Sequence, residues 1–244
     1  MKTGKYQRRF YRQWKGAQDL YKARIVVRQT DLHILTDKPI DKIFVKERVC
    51  LYRRQIENYI QKDTRFLSSL KPIEVELDAP PIVKEMSEAA KIANVGPMAA
   101  VAGAIAQCLG RDILSRGYKE AIIENGGDIF LKTKKSRRVA IYAGKSKLSK
   151  KLFLKINPKD SPLGICASSG TVGHSLSFGC ADSVVILSKD ASLSDAVATA
   201  TANLVHSKDD VRGALHFASS VKGILGAVVV FKNILAIWGK IEFI

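Results

Sequence analysis

The chain has 244 residues, of which 46% are hydrophobic and 26% are charged, a composition typical of a globular protein able to bury a sizeable core. Its 40 Lys and Arg residues outnumber its 23 Asp and Glu residues, giving a net charge of +17. This charge favours anionic partners, but it does not distinguish among nucleic acid, acidic lipid and phosphorylated small molecules. Four dispersed cysteines exclude a disulfide framework. The lack of a signal-peptide pattern and of an apolar run of roughly 18 residues predicts a cytoplasmic protein with no membrane span.

The first 24 residues are basic and aromatic, with eight Lys and Arg residues against the single acid Asp19. Such a segment can bind single-stranded nucleic acid. It is more often an arm or an edge strand that packs its aromatic side chains on the body, and we prefer that interpretation. From residue 23 to residue 37, apolar and polar side chains alternate on both sides of residues 29–31, which predicts a β-hairpin.

Helical spacing of apolar residues dominates the next part of the chain. It predicts an interrupted helix over residues 40–69, then helices over 83–93 and 97–116, the last beginning with a proline and ending at Gly117. Residues 71–77 read as a short extended piece between them. The helix over 97–116 is so rich in Ala and Gly that we expect its backbone to pack very closely against another element.

The segment KEAIIENGGDIFLKT predicts two strands joined by a turn at residues 125–128. An Asn-Gly pair between strands is by itself only a hairpin turn, but Glu124 and Asp128 bracket it here and are able to present carboxylates to a ligand. Residues 132–155 follow, with ten Lys and Arg residues, no acid and two more strand candidates. We interpret this run as a solvated face, with phosphate binding as the alternative.

Residues 164–203 contain almost no long charged side chains and are rich in Gly, Ser, Ala and Thr. Small residues let backbone amides approach a ligand closely, so we expect a loop of this composition to build the site. The stretch runs through a strand, ADSVVILS, into a helix over residues 192–205 that Ser192 or Ser194 is expected to cap.

The C-terminal part adds a short helix near residues 208–220 and a closing hairpin that turns at residues 232–233. Neither an internal repeat nor a low-complexity linker interrupts the sequence. We therefore expect a single domain over residues 1–244, with residues 1–24 as its basic arm or edge strand.

The most specific chemical signal is the pair Asp195 and Thr199. A carboxylate and a hydroxyl four residues apart share one face in the first turns of a helix. A hard cation such as Mg²⁺ takes oxygen ligands in that arrangement. In the alternative interpretation, Asp195 only complements the dipole of its helix and Thr199 packs.

Two cysteines, a histidine and an aspartate form a second candidate constellation, Cys166, His174, Cys180 and Asp182. The cysteines are 14 residues apart, which is not a metal-ligand spacing, but a thiol with a lowered pKa would be nucleophilic. His174 is either an acid/base group or a hydrogen-bonded structural residue. Asp182 either orients His174 or caps a strand.

Taken together, three motifs make the sequence resemble the ApbE superfamily, the FAD:protein FMN transferases, and within it a short cytoplasmic branch. In that family an Asn-x-Gly-Gly-Asp turn, a Thr-Ser-Gly loop and an Asp-Ala-x-Ala-Thr helix start occur in this order. Here they read Glu124-Asn125-Gly126-Gly127-Asp128, Ser168-Ser169-Gly170 and Asp195-Ala196-Val197-Ala198-Thr199. The family's His-x-x-Asp-Pro-x-x-Gly segment is missing, and the chain passes from His174 to Asp182 in eight residues.

The resemblance implies an α+β fold of the ApbE type, with mixed or antiparallel sheets flanked by helices. It implies that Asp195 and Thr199 correspond to side-chain ligands of the Mg²⁺ that holds the FAD pyrophosphate, and that FMN is transferred to a Thr or Ser hydroxyl of a partner protein. The residues assigned to cofactor binding are Asn125, Gly126, Gly127, Asp128, Ser168, Ser169, Gly170 and Thr171.

Three functional hypotheses follow. The leading one is an ApbE-related protein that binds a phosphorylated or flavin-nucleotide-like small molecule, with Mg²⁺ and FAD as the implied cofactors and His174 as acid/base. The second keeps the fold but uses Cys166 or Cys180 to handle sulfide or persulfide, because the branch it resembles is associated with sulfur assimilation and homocysteine formation. The third, a basic nucleic-acid-binding protein, ranks last because no nucleic-acid-binding motif accompanies the charge. A homo-oligomer is compatible with each.

Overall fold

The computed structural model describes residues 17–144, 146–149, 151–170 and 178–244. Within these ranges the strands are β1 Tyr21–Val27, β2 Thr30–Thr36, β3 Ala121–Asn125, β4 Asp128–Lys132, β5 Arg137–Ala140, β6 Phe153–Ile156, β7 Leu163–Ser168, β8 Ser183–Ser188, β9 Ile224–Phe231 and β10 Ile234–Gly239. The helices are α1 Lys42–Lys62, α2 Arg65–Ser68, α3 Pro81–Ala93, α4 Val101–Ser115, α5 Ala191–Asn203 and α6 Asp210–Ser220, with a 3₁₀ turn at Pro97–Ala100 before α4.

Eight of the strands form one sheet in the order β1-β2-β3-β4-β7-β8-β9-β10, and every neighbouring pair is antiparallel. One face packs against the helix layer in cores that include Met86 and Val197. The other face packs Leu131 and Ile165 against Val139 and Leu154, which belong to the two-stranded sheet β5-β6. Both faces of the central strands are therefore covered, which explains why β3 and β8 are buried at every position.

Local sequence signals place most elements correctly. The hairpins β1-β2, β3-β4 and β9-β10 occur as predicted, although the first turns at residues 28–29. Gly117 follows α4 with a φ of +81°, a left-handed conformation that glycine adopts without strain. None of the helices in the described ranges is alone long and apolar enough to span a membrane, and Pro81–Ala93 with Pro97–Ser115 passes that test only as a pair bent by 105°.

Helix α5 begins differently from the prediction. Asp190, not Ser192 or Ser194, caps it, and its carboxylate accepts the N–H of Leu193 at 2.9 Å. Ser194 instead donates its hydroxyl to the Gly164 carbonyl at 3.2 Å, which ties α5 to the sheet. The prediction was wrong because α5 already begins at Ala191, so Ser192 and Ser194 lie inside the helix and past the capping position.

The start of the small-residue stretch is also not a loop. Residues 164–168 belong to β7 in the middle of the large sheet, between β4 and β8. A side chain at Gly164 would overlap the backbone of Ala191, so the small residue is needed for α5 to lie directly on the strand. Small residues here mark close helix–sheet packing, and this packing brings α5 to the site.

The described part of the basic run at residues 132–155 includes a buried charge. Arg137 on β5 is 3% exposed and forms ion pairs with Asp19 at 2.6 Å and with Glu120 at 2.8 Å. Glu120 also accepts the hydroxyl of Thr133 at 2.7 Å. This cluster joins β5 to the large sheet, so at least one member of the run is structural and does not face solvent.

Candidate functional site

Asp195 lies in the second turn of α5 and reaches across to the start of α4. Its Oδ2 accepts the backbone N–H of Gly103 at 2.9 Å, and the N–H of Ala102 also contributes. The first amides of a helix have no partner within the helix, so a carboxylate at this position satisfies one of them and meets the positive end of the helix dipole. Asp195 therefore stabilises the start of α4, a neighbouring helix, and not the start of its own.

Asp128 is a second buried carboxylate, at the first position of β4. Its Oδ1 accepts the N–H of Ala167 on the neighbouring strand β7 at 3.2 Å. The thiol of Cys166 interacts with the same carboxylate. Asp128 and Asp195 are only 7% and 8% exposed, so both carboxylates have lost most of their contact with water.

Burial disfavours the charged form of both groups. It raises the pKa of Asp195 to about 7, and the N–H groups of Gly103 and Ala102 only partly oppose this. Burial, followed by the charge of Asp195, raises the pKa of Asp128 well above its usual range. Two such carboxylates are ionised together at low cost only when a cation lies beside them.

In metal-free buffer we expect the free energy of unfolding to decrease as the pH rises from about 4 through 7, because a carboxyl with a raised native pKa keeps a proton that the unfolded chain has already released. The native state then binds more protons than the unfolded state, and each such group contributes a decline of at most about 1.4 kcal/mol per pH unit. Urea unfolding in EDTA at about pH 5 and about pH 8 measures this decline. The decline in the free energy of unfolding should be smaller in Asp195→Asn than in the wild type. Equal declines in the two proteins would contradict a raised pKa of Asp195.

Ser168, at the end of β7, carries an unpartnered buried hydroxyl. Its Oγ has no hydrogen-bond partner among the residues the structure describes, and the residue is 3% exposed. Strand alternation places Ser168 on the same face as Gly164 and Cys166, both of which lie against Ala191 at the start of α5. Leaving such a group unsatisfied costs about 1–3 kcal/mol, so this hydroxyl is suited to bind a ligand.

Thr199 completes a set of oxygen atoms. It follows Asp195 by one turn on α5 and is 7% exposed. Carboxylate and hydroxyl oxygens are the donors that Mg²⁺ prefers. No group of three or more His, Cys, Asp or Glu residues in the described ranges has metal-site geometry, so a cation here would also need hydroxyl, carbonyl or ligand oxygens.

The turn at residues 125–128 holds the site together. Gly126 and Gly127 have φ values of +72° and +114°, which favour glycine. Asn125 donates its side-chain amide to the carbonyl of Ala102 at 3.2 Å, and Glu124 accepts the N–H of Gly127 at 2.8 Å. The amide of Asn125 therefore fixes the turn to the start of α4, and the Glu124 carboxylate stabilises the turn from within.

The predicted anion cradle after β7 is only partly available. The N–H of Gly170 and the hydroxyl of Ser169 both donate to the carbonyl of Ala181, at 3.0 and 3.4 Å. The Gly170 amide is thus engaged within the chain, unlike the Ser168 hydroxyl. Thr171 and His174 lie outside the described residues.

Three members of the thiol constellation, Cys166, Cys180 and Asp182, lie in the described part of the chain. Cys166 is completely buried, and burial together with the charge of Asp128 raises its pKa well above the usual range, which opposes formation of the reactive thiolate. Cys180 is exposed. Asp182 accepts the N–H of Lys232 at 2.5 Å and so stabilises the β9-β10 turn, in agreement with the structural alternative.

Two contributions to the site were not predicted from the sequence. The first is the pair of amides of Ala102 and Gly103 that bind Asp195. The second is Gln107, whose Oε1 accepts the N–H of Ala191 at 2.7 Å and joins the start of α5 to α4. The Ala- and Gly-rich composition of α4 correctly indicated close packing, but it did not indicate α5 as the partner.

The chain matches the model of a family described as AbpE bacteria over residues 12–234. A UPF0280 protein of Methanocaldococcus jannaschii is 41% identical over 231 residues, which cover 91% of each chain. A UPF0280 protein of Methanosarcina acetivorans is 41% identical over 221 residues, which cover 90% of this chain and 87% of the relative. The similarity therefore extends along most of both sequences.

Solved structures share the fold at low sequence identity. The flavin transferase ApbE from Vibrio cholerae superimposes with a TM-score of 0.60 at 13% identity, covering 90% of this chain and 97% of that chain. The flavinyl transferase ApbE from Pseudomonas stutzeri, in its apo form, superimposes with a TM-score of 0.60 at 12% identity, covering 91% of this chain and 95% of that chain. The predicted α+β fold of the ApbE type, with antiparallel sheets flanked by helices, is confirmed.

Proposed function

The chain belongs to a UPF0280 branch of the ApbE-like superfamily, and from this membership we propose that it is a flavin-related transferase that binds FAD together with Mg²⁺. The observation that carries the proposal is the buried pair Asp128 and Asp195 beside the unpartnered hydroxyl of Ser168. Buried carboxylates need a cation nearby to remain charged together, and the Ser168 hydroxyl, which has no partner among the described residues, needs an acceptor. A nucleotide pyrophosphate with its metal ion supplies both.

Each residue has a distinct role in this proposal. Asp195 and Thr199 would hold Mg²⁺, and Asp128 adds negative charge beside them. Bound Mg²⁺ would neutralise the pyrophosphate oxygens and favour departure of the leaving phosphate. Ser168 donates its hydroxyl to a phosphate oxygen, and Asn125 keeps the start of α4 in place.

The reaction would transfer FMN from FAD to a hydroxyl of a partner protein. The hydroxyl oxygen forms a bond to the FMN phosphorus, the bond between that phosphorus and the AMP phosphate oxygen breaks, AMP leaves and the hydroxyl proton is released. Atoms and charge balance without an oxidant or reductant. The contribution of the chain is to position the pyrophosphate and to stabilise its charge.

Titration of the chain with FAD, with Mg²⁺ and with EDTA, tests the proposal through flavin fluorescence. We expect Mg²⁺-dependent binding that weakens by at least about 100-fold in Asp195→Ala, since even indirect partners of a metal contribute 10–100-fold. Asp209→Ala is the matched control, because Asp209 is exposed and makes no side-chain cap bond at the start of α6. Failure of the wild-type chain to bind FAD with Mg²⁺, or equal binding by Asp195→Ala, would overturn the proposal.

A further inference from the structure

Phe178 is an exposed aromatic residue near the end of helix α5. It is 57% exposed, and it belongs to none of the apolar clusters that the described residues form. A single exposed apolar side chain is common on protein surfaces, so its position decides what it can do. The contacts of its backbone fix that position.

The last turn of α5 holds the backbone at Phe178. The N–H of Phe178 donates to Oδ1 of Asn203 at 2.9 Å. A side chain at Gly179 would overlap the carbonyl of Ala202, so the chain passes directly over the end of the helix. Phe178 is therefore attached to α5 beside Asn203.

Asn203 lies on the side of α5 that carries the residues proposed to hold Mg²⁺. Asp195, Thr199 and Asn203 follow one another at intervals of four residues, and residues four apart are neighbours along a helix. At a rise of about 1.5 Å per residue, Asn203 lies about 6 Å beyond Thr199 along the helix axis. Phe178 is thus attached about one helical turn beyond the proposed metal ligands.

Strand β7 runs beside α5 in the same direction. Near the start of both elements, Gly164 lies so close to Ala191 that a side chain at Gly164 would overlap the helix backbone. Past the other end of β7, a side chain at Gly170 would overlap the carbonyl of Gly179, which itself lies on the end of α5. The strand and the helix therefore stay side by side over their whole length.

Ser168 and Thr199 lie at about the same height in this pair of elements. Ser168 follows Gly164 by four residues, which is about 13 Å along an extended strand. Thr199 follows Ala191 by eight residues, which is about 12 Å along a helix. Phe178 is attached one turn further in the same direction, beyond both hydroxyls.

These heights place Phe178 beside the position that a ring attached to a bound pyrophosphate would reach. In FAD, one phosphate is joined through ribose to adenine and the other through a ribityl chain to isoalloxazine, and both ring systems are planar. Planar heteroaromatic rings stack on aromatic side chains, which covers apolar surface on both partners.

We propose that Phe178 stacks on one planar ring of the ligand and makes the site prefer a ring-bearing pyrophosphate to pyrophosphate alone. This inference rests on the proposed function and assigns a specificity-determining residue to it. Adenine and isoalloxazine share the stacking chemistry, so the experiment has to separate them.

Isothermal titration of the full chain with FAD, with ADP and with inorganic pyrophosphate, each with Mg²⁺, tests the inference. In Phe178→Ala we expect the affinity for FAD to weaken at least about tenfold, because the stacking contact is lost. The affinity for pyrophosphate should be unchanged, because pyrophosphate has no ring. A matching loss with ADP assigns the stacked ring to adenine, and unchanged ADP binding assigns it to isoalloxazine.

Three further variants separate stacking from other effects. Phe178→Trp keeps a planar ring and should bind FAD as the wild type does, whereas Phe178→Leu keeps an apolar side chain without a ring and should lose nearly as much affinity as alanine. Tyr21→Ala is the matched control, because Tyr21 is 54% exposed and lies at the end of the sheet opposite the turn at residues 125–128. It should bind FAD as the wild type does.

The possible failures of this inference and of the proposed function are distinguishable. Equal FAD affinities of the wild type and Phe178→Ala would overturn the inference and leave the proposed function in place. Equal losses for FAD and pyrophosphate would also overturn it, because the substitution would then disturb the phosphate site itself. Failure of the wild type to bind FAD with Mg²⁺ would overturn the proposed function and this inference together.

Discussion

Gly103→Ala should lower the free energy of unfolding by about 3 kcal/mol, because the added methyl group has no space. It would overlap the carbonyl of Ala191 and approach the Cβ of Asp195 to 2.9 Å, so α4 and α5 would have to move apart. The same movement would break the hydrogen bond from the Gly103 N–H to Asp195. We therefore expect FAD binding to be lost together with stability.

Gly213→Ala provides the matched control for this prediction. Gly213 lies inside α6 with open space where the Cβ would be, so alanine should stabilise the helix by about 1 kcal/mol. Urea unfolding of the two variants compares the same chemical change in two environments. A Gly103→Ala variant as stable as the wild type would show that α4 and α5 are not in the close contact described above.

Arg137→Met should cost about 3–5 kcal/mol of stability, because it leaves buried carboxylate charge without its partner. The guanidinium bonds Asp19 and Glu120, and Glu120 is only 5% exposed. The pairing with Arg137 lowers the pKa of Asp19 below its usual range. Without it, Glu120 must either remain charged in the interior or take up a proton.

Arg138→Met tests the same substitution at an exposed position on the same strand, and its effect should stay within about 0.5 kcal/mol. Urea unfolding near neutral pH measures both variants. Adding Glu120→Leu to Arg137→Met should recover part of the loss, since it removes the orphaned charge. A small effect of Arg137→Met alone would contradict a structural role for the buried pair.

Signals carried by neighbouring residues predicted much of the fold. The turn at residues 125–128 could be predicted from the sequence because its left-handed backbone requires Gly126 and Gly127. Gly117 indicated the end of α4 for the same reason. The pair Asp195 and Thr199 was found from its spacing on a helix, and the structure brings Asp195 close to Asp128.

Contacts between distant residues account for the failures. The sequence does not indicate that Asp195 binds Gly103, 92 residues away, or that Arg137 is buried while Arg138 is exposed. The small residues around Gly164 were interpreted as a ligand-binding loop because close helix–sheet packing and close approach to a ligand require the same side chains. Composition alone does not separate these two uses.

Strands β2 and β3 are neighbours in the sheet although helices α1 to α4 lie between them in the chain. Leu32 pairs with Asn125. A long loop must therefore close, at a cost in chain entropy, before the hydrogen bonds between β2 and β3 can stabilise the fold. The carboxylate of Asp195 comes later still, in α5. During synthesis on the ribosome, a nascent chain that has exposed β1 to β4 therefore already has Asp128 and the turn, but it has no complete site until α5 has emerged. If the proposed function is correct, FAD should consequently bind completed molecules and not truncated ones.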